Sequence, residues 1–259
     1  MSTHVAEIGA PEGGGSQSGS AVAAVPPASG LVNLRDIGGL TFVGGGATAT
    51  GVLYRGDAPY PGDSAVPDLE SWPPASVVDL RGVRERARFA YQWAPDSVVH
   101  HVPMLDAAAP EAAPTDLAAV FVRMLNCGEI WAGHLLRAVS RSRGATLVHC
   151  TAGKDRTGVA VAVLLLAAGV EPTAVVADFV RSEDALDSLH RRWIDAGVRK
   201  RDSPPLPEKY MHAPAEAIGP VIEQLSATPG GPAQWMLDNG ADPADLDNWR
   251  ARLRGGGEK

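Results

Sequence analysis

Along the first half of the chain, short apolar runs alternate with longer stretches whose apolar residues recur at three- and four-residue steps. Val52–Tyr54, Ser76–Leu80, Val98–Val102 and Ala145–His149 read as strands, because each is a brief, largely β-branched or apolar run bounded by turn or charged residues. Val83–Phe89 is a charged helical stretch, and Asp116–Asn126 and Ile130–Ser140 have the spacing of amphipathic helices. After Ala145 the pattern turns almost wholly helical. Arg156–Ala168 predicts an apolar helix stopped by Gly169, and Pro172 can open the next one in its first turn. Further helices are expected at about 184–196, 214–226, 232–239 and 243–253, the last with Asp242 as N-cap and Pro243 after it. Strands interleaved with helices predict an α/β fold, with a largely parallel central sheet flanked by helices and a helical C-terminal layer.

Residues 1–30 break the pattern. They are mostly Gly, Ala, Ser and Pro without an aromatic residue, so they cannot bury enough surface to offset their ordering entropy. They read as a disordered tail, and residues 31–259 as a single catalytic domain. The first Lys or Arg is Arg35 and the longest apolar run in the tail is 21–25, so no secretory signal is visible and a cytoplasmic protein is expected. Val159–Ala168 is too short for a bilayer, which needs about 20 apolar residues. The formal net charge of −7 disfavours nucleic acid as main partner. Two cysteines, Cys127 and Cys150, cannot form a disulfide scaffold, so a reducing compartment is expected, with Cys127 an inert buried thiol.

The chemistry is concentrated in residues 145–158, Ala-Thr-Leu-Val-His-Cys-Thr-Ala-Gly-Lys-Asp-Arg-Thr-Gly. A strand runs into a glycine-containing loop and the loop into an apolar helix. Backbone N–H groups of such a loop can line an anion site, to which the helix N-terminus adds positive potential. Cys150 stands where that site begins, which favours its thiolate form. Arg156 lies at the helix start, where its guanidinium can fork onto two oxygens of a tetrahedral anion. Together they suit nucleophilic attack on phosphorus. A Walker A reading fails, since Val148 stands where the first glycine belongs and Asp155 where the hydroxyl belongs. Cys127, His134, His149 and Cys150 have no zinc-ligand spacing, and His100 and His101 point to opposite faces of their strand, so no metal or other cofactor is expected.

The segment 149–158 resembles the signature loop of the protein-tyrosine phosphatase superfamily, and most closely that of its atypical bacterial tyrosine phosphatases. Asn-Leu-Arg-Asp-Ile-Gly-Gly (33–39), Gly-Val-Leu-Tyr-Arg-Gly-Asp (51–57), Val-Val-Asp-Leu-Arg (77–81), Ala-Asp-Phe-Val-Arg-Ser-Glu-Asp (177–184) and the stretch 230–242 are similar to that family too. The resemblance covers roughly 31–254 and implies a dual-specificity-type phosphatase fold, acting without metal on phosphotyrosine in proteins and allowing phosphoserine or phosphothreonine as well. It implies Cys150 as nucleophile, Arg156 as oxyanion ligand and residues 151–156 (Thr151, Ala152, Gly153, Lys154, Asp155 and Arg156) as the substrate-binding loop. Thr157 would bond the departing thiolate, unless it serves only the helix start. Asp106, after Val-Pro-Met-Leu and ahead of a stretch able to move as a lid, fits the general acid, with Asp155 as rival. His149 is expected to hold the loop. Asp79 and Arg81 are expected to form a network behind the pocket.

Lys154 and Asp155 should radiate to the pocket walls. A lysine there also occurs in phosphoinositide phosphatases, which leaves lipid hydrolysis as an alternative, and a catalytically silent phospho-binding module as another. The basic residues His190, Arg191, Arg192, Arg199, Lys200 and Arg201 around Trp193 read chiefly as a solvated face.

Overall fold

The computed structural model describes residues 30–63, 69–104 and 116–256. Five strands, β1 (Arg35–Asp36), β2 (Leu53–Gly56), β3 (Ser76–Asp79), β4 (Val98–His101) and β5 (Thr146–His149), form one sheet in the order β1-β2-β5-β3-β4. Only β1 runs antiparallel; the other pairings are parallel. β5 lies between β2 and β3, so Gly56 and Asp79 both register with His149. The C-terminal ends of three parallel strands thus meet where β5 ends, which is where open α/β sheets bind their ligands.

The strands alternate faces as a pleat requires. Leu53, Val78 and Val148 join the main helical core, while Tyr54 and Leu147 pack beneath Leu34, Leu69, Trp72 and Trp93 on the other face. The helices are α1 (Val83–Arg88), α2 (Leu117–Leu125), α3 (Gly128–Ser140), α4 (Asp155–Ala167), α5 (Pro172–Val180), α6 (Leu186–Asp195), α7 (Ala215–Ala227), α8 (Gly231–Asp238) and α9 (Pro243–Leu253). All but the first of the 13 residues of α4 are buried. A helix apolar all round belongs in the core, and α4 packs on α2, α5, α7 and α8 as well as β2 and β5.

Helix ends follow the expected chemistry. Gly169 takes a left-handed φ of 89°, and the Gly169 and Val170 amides close onto the carbonyls of Leu166 and Leu165. Asp242 caps α9 by accepting from the Ala244 amide at 2.8 Å. The sequence pattern had not indicated β1, which is two residues long and has no apolar run of its own. Cys127 is half-buried rather than fully enclosed. No described helix is long and apolar enough to cross a membrane.

Candidate active site

β5 delivers Cys150 to the sheet's open end, and the chain curls through residues 151–154 before α4 begins. The outward carbonyls of this curl are tied down in turn. The buried His149 ring meets the Cys150 carbonyl at 3.2 Å. The Ala58 amide donates to Thr151 at 3.2 Å. Asn33 Nδ2 donates to Ala152 at 2.9 Å. Arg55 Nη2 donates to Gly153 at 2.9 Å and to Lys154 at 3.4 Å. The amides of residues 151–156, by contrast, have no acceptor among the described residues. With carbonyls turned out and amides left over at a helix N-terminus, the loop is an anion cradle.

The supports come from β1, β2 and the loops beside them. Arg55 is almost wholly buried and pairs with Asp178 at 2.6 Å, and Arg35 pairs with the same carboxylate at 2.7 Å. Arg35 also bonds the Asn33 side chain at 2.6 Å, which fixes the amide that holds Ala152. Gly153 is required twice over. Its φ is +69°, and a Cβ there would lie 2.3 Å from the Gly56 carbonyl carbon.

Cys150 is buried at the base of the site. Arg156 reaches back from the first turn of α4, and Glu85 on α1 grips both terminal nitrogens of its guanidinium, at 2.5 and 2.9 Å. The same carboxylate accepts from the Thr151 hydroxyl at 2.7 Å and the Gly82 amide at 3.0 Å. Burial alone would raise the Glu85 carboxyl, but the hydrogen bonds and charge of Arg156 outweigh it and hold it at about 2. Arg156 is in turn held firmly protonated, its burial outweighed by Glu85. Glu85 had no part in the motif reading. The available signal was its place at the third position of α1, directly after the Asp-Leu-Arg strand end, where acidic residues favour a helix start.

Behind the loop, Arg81 pairs with Asp79 through two nitrogens, at 2.9 and 2.8 Å, and both residues are buried, as their place at the strand end suggested. Burial, opposed by His149 and Arg81, leaves Asp79 at about 2. Desolvation lowers His149 against the opposing charge of Asp79, and its Nδ1–H donates to the Cys150 carbonyl. The Thr157 hydroxyl is buried with no partner among the described residues and does not line the cavity. Asp106 lies outside the described residues.

Lys154 refines an expectation. It lines the cavity beside Asp155 as expected, but its side chain is buried and engaged rather than free: the ammonium donates to Asp155 at 2.7 Å and to the His212 carbonyl at 2.9 Å. A buried ammonium needs such partners, and the segment after α6 supplies one. The basic cluster also divides. Arg192 is buried between Asp57 and Asp63, at 2.9 and 2.6 Å, whereas His190, Trp193 and Arg199 line the cavity over Cys150. That cavity holds about 430 Å³ and also touches Thr151, Ala152, Lys154, Asp155 and Arg156.

The chain matches a family described as the tyrosine phosphatase family over residues 26–255. A protein of Cupriavidus necator named as a tyrosine-protein phosphatase is 30% identical over 213 residues, covering 73% of this chain and 76% of that one. The triple specificity protein phosphatase PtpB of Mycobacterium tuberculosis is 28% identical over 227 residues, 69% of this chain and 82% of its own. A tyrosine-protein phosphatase of Nostoc commune is 29% identical over 136 residues, 48% of this chain and 46% of its own.

Proposed function

The chain belongs to the tyrosine phosphatase family, and from that premise we propose that it hydrolyses phosphotyrosine, together with phosphoserine or phosphothreonine, in proteins through a phosphocysteine at Cys150. The observation that carries this reading is the cradle itself: outward carbonyls bonded, amides of 151–156 left for an anion, Cys150 at its base and Arg156 at its side. The Cys150 thiolate attacks phosphorus as the ester P–O bond breaks, and Asp106 gives its proton to the leaving oxygen. Water then attacks the phosphocysteine and yields its proton to the Asp106 carboxylate. The S–P bond breaks, and phosphate and thiolate separate with the Thr157 hydroxyl donating to the sulfur. Arg156 and the loop amides stabilise the equatorial charge in both steps. The mycobacterial relative's name supports action on more than one class of phosphoester.

Phosphate release from a phosphotyrosine peptide, a phosphothreonine peptide and vesicles carrying phosphatidylinositol 3-phosphate tests the reading, with Cys150→Ser in parallel and EDTA present. Peptide hydrolysis that requires Cys150 and survives EDTA is expected. Tight binding without release would make the loop a phosphate receptor, and release from the lipid alone would make the protein a phosphoinositide phosphatase.

A further inference from the structure

The cavity over Cys150 is larger than a phosphorylated side chain needs. A cavity of roughly 150 Å³ accepts a benzene, whereas this one holds about 430 Å³. The excess is walled by three elements outside the loop. On α2, Val120, Arg123 and Met124 share one helical face, and on α6, Leu186, His190 and Trp193 do the same. The segment following α6 closes the third side with Val198, Leu206, Tyr210 and their neighbours, and the Lys154 bond to the His212 carbonyl ties its end to the loop.

We propose, resting on the phosphatase reading above, that this apolar chamber is a second subsite that takes a large apolar side chain next to the phosphotyrosine of a peptide substrate. The inner acids, Glu85 and Asp155, are engaged with Arg156 and Lys154. The other walls contribute the basic His190 and Arg199, a set compatible with an anionic phosphopeptide. A lipid fits less well. The Lys154 ammonium is bonded within the protein, and among the described residues none of the exposed large apolar ones, such as Val43, Val98 or Ile130, lines the chamber.

Matched phosphotyrosine peptides with Gly, Leu or Trp directly before or after the phosphotyrosine test this, with phenyl phosphate as a substrate too small to need the chamber. Burying one such side chain is expected to raise kcat/KM about tenfold over the glycine peptide on one flank. In Trp193→Ala that ratio is expected to fall to about twofold. Should Trp193→Ala not fold by circular dichroism, Leu206→Ala provides the same reading, and Val120→Trp, which fills the chamber, should also flatten the ratio. Equal rates for glycine- and leucine-flanked peptides, with phenyl phosphate turned over, would overturn the subsite and leave the phosphatase standing. Vesicle-borne phosphatidylinositol monophosphate outrunning every peptide would assign the chamber to lipid and overturn the proposal. If phenyl phosphate itself is not hydrolysed, the phosphatase reading and the subsite fall together.

Discussion

Glu85 binds the outer fork of Arg156 and one hydroxyl of the loop, so one carboxylate fixes the cation proposed to meet the substrate. Removing it leaves a buried guanidinium without its partner, the costly way to break a charged pair. Glu85→Ala is therefore expected to lower kcat/KM about 100-fold and to weaken inhibition by vanadate, an oxyanion that reads the cradle directly. Glu85→Gln, which can still accept one bond from Arg156, should recover part of both. A residue that only stabilised the fold would lower the melting temperature and leave vanadate inhibition alone. At Gly153 the requirement is steric. Gly153→Ala places a methyl against the Gly56 backbone in a left-handed conformation, and a loss of about 3 kcal/mol or more is expected in denaturant unfolding.

At the scale of elements, the loop is held by residues distant in sequence, and this divides what could be read in advance. The strand–loop–helix around Cys150 is continuous in the chain, so its cysteine, its arginine and its glycine were all visible in one motif. Asn33 and Arg55 were visible only as members of family-like stretches. Their function depends on β2 lying beside β5, with β1 on its far edge, which no local spacing encodes. Glu85 was missed for the same reason, and the engagement of Lys154 was not legible because its acceptor, the His212 carbonyl, is 58 residues away. Helices fared better than connections: α9 falls where its proline and cap predicted, whereas β1 has too few residues to carry a pattern. Asn33→Ala is expected to cost about 1 kcal/mol in stability, as for a typical lost hydrogen bond, yet to lower kcat severalfold at temperatures where the fold is intact. An undiminished kcat would show that the Ala152 carbonyl needs no holder.

Across the whole molecule, charge is gathered into buried pairs near the sheet's open end, and these link stability to pH. Glu85 and Asp79 sit at about 2, below their ordinary values of 4.5 and 3.8. A depressed carboxylate contributes stability above its ordinary value and loses it as pH falls toward the folded one. The melting temperature should thus drop between about pH 4.5 and 2, and Glu85→Gln should drop less steeply over that window; identical slopes would contradict the Arg156 pairing. The same concentration of charge at the strand ends serves the cradle, where sheet topology, loop conformation and the α4 N-terminus converge on Cys150. The most direct test of that convergence is rapid acid quench during turnover of a phosphotyrosine peptide, followed by intact-protein and peptide mass analysis. One phosphoryl group on the peptide containing Cys150, absent from Cys150→Ser, is the predicted result. Steady turnover with Cys150 never modified, or with the phosphoryl group on another residue, would contradict the account.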